Sequence, residues 1–264
     1  MKPTIAMVSK AAGFELRNVT EFARRNGFSA IELNLDLVRL YVAERPRTEI
    51  IDDLRSKPFQ YRCHAPFAEI ELAHSDPDVR HVSASLLRNA IDFTADVGGT
   101  GITVHMGTGR LGEKDSSEAD WDAGIVALED AAQYGHKRGV TVSLENLRYG
   151  PTSNPRELLG IVERTGTAIT LDFGHLRGSD LVQSGELTAQ EFVSSVKNHV
   201  AHIHFYEIET DTHYPPANLD NLTELMDELR DVQWWSIELW RSADEVIHTY
   251  QLLQNYFDRQ NEDG

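Results

Sequence analysis

Eight short apolar runs, most of them rich in β-branched residues, alternate along the chain with eight longer helix-forming stretches. Runs of this length bounded by turn residues read as strands buried on both faces. They fall at residues 4–9, 30–35, 61–65, 101–105, 140–145, 168–172, 200–206 and 235–239. The helical stretches fall at 15–26, 48–56, 76–97, 119–138, 155–164, 188–198, 219–230 and 242–257. Their ends carry matching punctuation. Asp76-Pro77 puts a proline at a first-turn position, where its missing N–H costs nothing. Thr188 with Glu191 three residues on has the capping-box pattern, and Gly27, Gly139 and Gly166 follow helix ends. Strict alternation predicts an α/β fold with a parallel sheet. Eight pairs in 264 residues, with no linker-like segment, predict one (β/α)8 barrel domain over 1–264.

Such a barrel carries its chemistry at the C-terminal ends of the strands. Two of the runs, Val-Thr-Val-Ser-Leu and Ala-Ile-Thr-Leu, end in Glu145 and Asp172. A carboxylate on a doubly buried strand is costly unless something neutralises it, so two at successive strand ends suggest a shared cation. The ionisable residues at the other ends are Glu32, His64, His105, His204 and Glu238, with His175 just past Asp172. The loop after the seventh strand adds Asp211 and His213. One strand histidine is often no more than a hydrogen-bonded core residue. Seven of eight strands delivering such a group to one mouth is a different matter. Within this set Glu32 could instead pair with an Arg or Lys. His202, outside it and two residues before His204, reads first as a hydrogen-bonded structural histidine and equally as a group supporting His204. Trp234 and Trp235 read as packing, while Tyr206 and Trp240 stay open between packing and substrate contact.

Bulk properties narrow the function classes. A net charge of −17 argues against sequence-independent nucleic-acid binding, which depends on Lys and Arg neutralising phosphates. Cys63 is the sole cysteine, which excludes an internal disulfide framework and fits a reducing cytosol. No apolar run reaches the roughly 18 residues of a membrane span, and Met1-Lys2-Pro3 does not lead into a signal peptide. The expected location is therefore cytoplasmic. No P-loop or dinucleotide fingerprint is present, so no nucleotide cofactor is implied.

Seven segments together carry a family resemblance: Cys63-His64-Ala65-Pro66-Phe67, Val104-His105-Met106-Gly107, Leu144-Glu145-Asn146, Leu171-Asp172-Phe173-Gly174-His175, His202-Ile203-His204, Asp211-Thr212-His213 and Ile237-Glu238. In that order the chain resembles the xylose isomerase-like TIM-barrel superfamily, in the branch of sugar-phosphate isomerases, epimerases and endonuclease IV. The isomerase resemblance implies a divalent metal held by Glu145, Asp172, His204 and Glu238, with Glu145 and Glu238 also moving protons. A mostly oxygen ligand set suits Mn2+ or Mg2+, with Zn2+ or Co2+ as alternatives. His175 is the expected substrate or charge partner, and Glu32 and Arg148 are weaker substrate-binding candidates.

The endonuclease resemblance implies three zinc ions, His64 and His105 helping to hold one and His175, Asp211 and His213 another. Against it stand Phe173-Gly174 in place of Thr-Cys, Phe205-Tyr206-Glu207-Ile208 in place of an Asn-Asp-Ala/Ser-Lys run, and Phe67 in place of Tyr. The isomerase pattern is also broken. Tyr214-Pro215-Pro216-Ala217-Asn218 replaces a glycine-rich loop, so substrate contacts from that loop do not transfer. The resulting expectation is a metal-dependent sugar isomerase or epimerase working through an enediolate. Its partner would be a small sugar rather than nucleic acid or membrane. A zinc-dependent abasic-site endonuclease is the alternative. The particular sugar, its phosphorylation and the oligomeric state are left open.

Overall fold

The structure, a computed structural model, describes residues 2–11, 16–36, 45–107 and 119–262. The eight apolar runs become strands β1 (Thr4–Val8), β2 (Ala30–Asn34), β3 (Gln60–His64), β4 (Gly101–Val104), β5 (Thr141–Glu145), β6 (Ala168–Asp172), β7 (Val200–Phe205) and β10 (Trp234–Ile237). All eight pair in parallel and close into a barrel in the order β1-β10-β7-β6-β5-β4-β3-β2. Helices lie between the strands, so the chain is a (β/α)8 TIM barrel. β8 (Ile208–Glu209) and β9 (His213–Tyr214) form a separate antiparallel hairpin directly after β7.

Alternation along each strand sorts its side chains onto two faces. One set, including Met7, Ile31, Leu33, Val104, Leu144, Leu171, Ile203, Phe205 and Trp235, belongs to the main apolar core. The other set faces the barrel interior, and there the protein departs from the branched apolar filling usual for this fold. Thr103 and Thr170 share a hydrogen bond, and His202 reaches Thr103 Oγ1 from Nδ1 and Ser236 Oγ from Nε2. Arg62 is buried in the same layer and donates to Ser143 Oγ. Among the described residues, Ala6, Ala30 and Trp234 form a small apolar cluster separate from the main core. Most groups of the polar interior hydrogen-bond one another, which makes it tolerable, while Arg62 Nε and Glu32 Oε2 are left without a hydrogen-bond partner.

Boundaries agree with the caps. Asp76 accepts from Asp78 N at the start of Pro77–Asp96, and the Thr188/Glu191 capping box opens Ala189–Val196. Gly139 and Gly166 end their helices in the left-handed conformation that glycine adopts at no steric cost. Residue 15, the first of the helix expected at 15–26, lies outside the described residues. Two short helices, Phe173–Gly178 and Asp180–Gln183, have no counterpart in the sequence pattern. The helix expected at 219–230 is only Thr223–Glu228, and the last one extends to Glu262. Among the described residues no helix is long and apolar enough to cross a membrane.

Candidate active site and metal centre

Register places four ligand-type side chains at one focus. β6 and β7 pair Asp172 with His204, β10 and β7 pair Ser236 with His204, and Glu145 lies beside Thr170. Residues paired in a parallel sheet point to the same face, so Glu145, Asp172, His204 and Glu238 meet inside the C-terminal mouth. Each offers one ligand atom, and these atoms all lie within 4.8 Å of one another. His204 Nδ1 is 2.9 Å from Glu145 Oε1, 3.1 Å from Glu238 Oε2 and 3.7 Å from Asp172 Oδ2.

Local structure fixes Asp172. Asn146 accepts from Asp172 N at 2.7 Å and donates to Asp172 O at 3.0 Å, which clamps the end of β5 to the end of β6. Asp172 is also the N-cap of Phe173–Gly178, its Oδ1 accepting from His175 N at 2.6 Å. Its other oxygen, Oδ2, is buried without a hydrogen-bond partner, as is Glu238 Oε2. Orphaned buried carboxylate oxygens are rare because losing water without a replacement is costly. Two of them aimed at one focus, beside an imidazole nitrogen and a third carboxylate, fit a hard divalent cation.

Electrostatics agree. Burial, assisted by Glu145 and Glu238 and opposed by His175 and His204, pushes the Asp172 carboxyl up to about 7. Burial also acts on Glu145 and Glu238, but histidine charges outweigh it. His204 and His105 hold Glu145 well below the usual carboxylate range, and His204 with His213 brings Glu238 to about 2. Without a cation the Asp172 carboxyl therefore takes up a proton far more readily than a free carboxylate, chiefly because it is buried and in smaller part because Glu145 and Glu238 repel its charge.

Two further groups adjoin this one. Glu145 Oε2 lies 3.2 Å from His64 Nε2 and 2.7 Å from His105 Nε2. Past β6, His175 Nε2 lies 3.2 Å from Glu209 Oε2, and His213 Nε2 lies 3.8 Å from Glu209 Oε1. Burial would lower the His175 pKa, but Asp172 and Glu209 raise it to about 10. All of these open into a cavity of about 440 Å3. Phe67, Trp121, Tyr149 and Trp240 supply aromatic wall.

Nine of the eleven residues that the sequence singles out therefore converge on the mouth, if Arg148 at the cavity wall is included. Asp211 does not, and Glu209 stands beside His175 and His213 where Asp211 was expected. In the hairpin Glu209 and His213 are cross-strand partners and share a face. Asp211 falls in the intervening turn, where strand alternation no longer holds, and stays exposed, accepting from Thr210 and Tyr214 hydroxyls. Glu32 also lies away from the cavity lining. It is fully buried beneath His204, on which its Oε1 closes to 3.1 Å. Arg148 is partly a brace, since its Nε and Nη1 donate to Gly178 O and Thr210 O. Tyr206 is buried and stacked on His213, whereas Trp240 faces the cavity. Sequence reasoning misses Glu209, Asn34 and Lys10. Lys10 follows β1, and its Nζ sits 4.2 Å from the Trp240 ring centroid, a cation–π arrangement. Its one legible signal is a long cation directly after a strand end.

Barrel, polar interior and carboxylate–histidine mouth define a class, and comparison with known proteins gives its name. The model of the xylose isomerase-like TIM barrel family matches residues 20–256, and the chain belongs to that family. It is 29% identical over 198 residues to the uncharacterized protein MJ0008 of Methanocaldococcus jannaschii, covering 74% of this chain and 79% of that protein. Among solved structures it is similar to a D-tagatose 3-epimerase-like protein, with a TM-score of 0.77 and 20% identity over 100% of this chain and 99% of the other. An L-ribulose 3-epimerase gives a TM-score of 0.75 and 16% identity, over 100% of this chain and 97% of the other. At these identities the two structures establish the shared fold.

Proposed function

We propose that the protein is a divalent-metal-dependent isomerase or epimerase of a sugar or sugar derivative. The observation that carries this reading is the focus formed by Glu145, Asp172, His204 and Glu238, with orphaned oxygens on Asp172 and Glu238, at the base of an aromatic-walled cavity. These four residues would hold the cation. When bound, it supplies Lewis-acid polarisation of a sugar carbonyl and the adjacent hydroxyl.

The protein's own groups supply the proton traffic. Moving hydrogen between carbons next to a carbonyl passes through an enediolate and needs a base to remove the carbon-bound proton and an acid to return it. Glu145 on β5 and Glu238 after β10 are separated by β6 and β7 in the barrel order, so they reach the cavity base from different directions. In the metal-free protein both carboxyls are held below the usual carboxylate range despite burial, Glu145 by His204 and His105 and Glu238 by His204 and His213. With His204 neutral on a bound cation, the cation's own charge would favour the ionised form instead. His64 and His105 hold Glu145 Oε2 and restrict its rotation. His175, fixed through Nδ1 on Asn146 O, presents Nε2 toward Glu209 at the cavity wall, within reach of a substrate hydroxyl. The aromatic wall shields the reacting carbons from water and offers flat surfaces to sugar C–H groups.

Glu145→Gln and Glu238→Gln should each reduce turnover by about 10²–10⁴-fold, the usual contribution of acid–base groups, with circular dichroism unchanged. Solvent deuterium should enter product formed from a ketopentose or ketohexose panel by the Mn2+-loaded enzyme. Near-normal activity in either variant, or no deuterium entering any product, refutes the reading.

One observation favours a second reading. His64, Glu145 and His204, with His105 Nε2 2.7 Å from Glu145 Oε2, and separately His175, Glu209 and His213, could hold further ions beside the first, an arrangement suited to phosphodiester hydrolysis. About three zinc ions per chain by elemental analysis, with nicking of an abasic duplex, would select that reading. About one ion per chain selects the sugar enzyme.

A further inference from the structure

The metal ligand His204 has a partner below it that the proposed chemistry does not use. We infer that Glu32 is a positioning residue, holding His204 in the tautomer that turns a bare Nδ1 toward the cation focus. The inference rests on the metal-site reading above.

A neutral imidazole has one N–H and one lone pair, and what faces each nitrogen decides which is which. His204 Nδ1 faces Glu145, Glu238 and Asp172, and His204 Nε2 faces Glu32 Oε1 at 3.1 Å. A proton on Nδ1 would leave the Nε2 lone pair against a carboxylate at that distance. A proton on Nε2 gives Glu32 a donor. The Nδ1 lone pair, 2.9 Å from Glu145 Oε1 and 3.1 Å from Glu238 Oε2, would then be met by the cation those carboxylates share. Without a cation the two nitrogens face carboxylates alike, so the preference is a property of the metal-bound state. Ligating histidines commonly donate their other N–H to a carboxylate, which fixes the ring and raises its basicity.

The surroundings are built to keep Glu32 charged and aimed. Glu32 and His204 are both fully buried, so no water competes for the contact. Arg62 is the register partner of Glu32 on the neighbouring strand and is itself buried, a counter-charge in the same layer. The Arg62 guanidinium fills the space a Cβ at Gly101 would need, with Cζ 2.3 Å from that position. His202 does not take the role. Its Nε2 comes within 3.3 Å of Glu32 Oε2, but that oxygen has no hydrogen-bond partner, and both His202 nitrogens already face Ser236 and Thr103 hydroxyls. Glu32, His202 and His204 also satisfy the spacing of a metal cluster, yet the hydroxyls occupying His202 make Glu32 a support rather than a ligand.

The test compares chelator-stripped wild type with Glu32→Gln by Mn2+ titration calorimetry, both proteins first shown folded by circular dichroism. Glutamine keeps the shape but loses the charge, and its amide can donate to Nε2 and favour the wrong tautomer. Mn2+ affinity should weaken by roughly 10- to 100-fold. A purely structural role would lower the melting temperature of the metal-free protein and leave affinity alone, and that result overturns the inference. If wild type itself binds no Mn2+, the metal-site reading fails first and this inference falls with it. If Glu32→Gln does not fold, the tautomer is read in wild type loaded with diamagnetic Zn2+, from imidazole 15N shifts. A His204 with Nε2 protonated and Nδ1 on the metal supports the inference; the reverse overturns it.

Discussion

Gly174 and Tyr206 show how two separate departures from the endonuclease pattern become one packing unit. A Cβ at Gly174 would lie 1.8 Å from Tyr206 Cε2, so the glycine exists to admit the ring. The ring in turn stacks on His213, with centroids 3.8 Å apart and planes 4° apart. Glycine to alanine inside an exposed helix normally gains about 1 kcal/mol, whereas overpacking a core costs about 1–3 kcal/mol. At this site the second effect wins, and Gly174→Ala should lower stability by about 1–3 kcal/mol in urea denaturation. In a Tyr206→Ala background the same change should cost close to nothing, because neighbours in contact are not additive. A stabilising Gly174→Ala would show that the ring can move aside. Neither residue announces this in sequence, since the contact joins a short helix and a loop that only the barrel brings together. Glu145, Asp172, His204 and Glu238 are legible for the opposite reason: each sits at a strand end, and strand ends are readable one at a time.

The β8–β9 hairpin, Ile208–Glu209 with His213–Tyr214, marks the limit of what sequence patterns specify at the level of elements. The eight barrel strands and the longer helices announce themselves through periodicity and caps. Two-residue strands and the short helix Phe173–Gly178 have too few residues for a period to register. They are specified by tertiary contacts instead, the helix by the Asp172 cap and the hairpin by arginines. Arg177 donates to Glu207 O, and Arg148 links Gly178 O to Thr210 O, tying hairpin to helix. That is why the sequence points to Asp211 rather than Glu209: the Asp-x-His spacing is visible and the turn that inverts it is not. Arg148→Lys keeps the charge but cannot make both contacts. Losing about 1 kcal/mol of net hydrogen bonding should speed hairpin opening about fivefold. Amide exchange at Glu207 and Thr210, whose N–H groups bond Tyr214 O and Thr212 O, reports it. Exchange in β5 and β6 should be unchanged; acceleration throughout the barrel would mean Arg148 supports the whole fold.

For the molecule as a whole the governing quantity is charge. Acidic side chains number 42 against 25 basic ones, a net charge of −17. The surface does form ion pairs. Arg138 bridges Asp92 and Asp96, and Arg47 also reaches Asp96. Exposed pairs of this kind contribute little each, about 0–1 kcal/mol, and salt weakens them. Carboxylates outnumber Lys and Arg by 17, and the net negative charge repels itself in the folded state more than in an expanded chain. Salt therefore acts on two opposed terms. Raising it from 0.1 M to 1 M shortens the screening length from about 10 Å to about 3 Å, enough to damp repulsion between carboxylates on neighbouring elements. Paired charges in direct contact, about 3 Å apart, are screened less than unpaired ones farther away, so the repulsive term should fall faster. The melting temperature of the chelator-treated protein should accordingly rise with KCl over this range. Chelation matters, because a cation bound at Glu145, Asp172 and Glu238 would stabilise the fold by mass action and mask the effect. A melting temperature that falls with KCl would mean that the paired charges outweigh the excess.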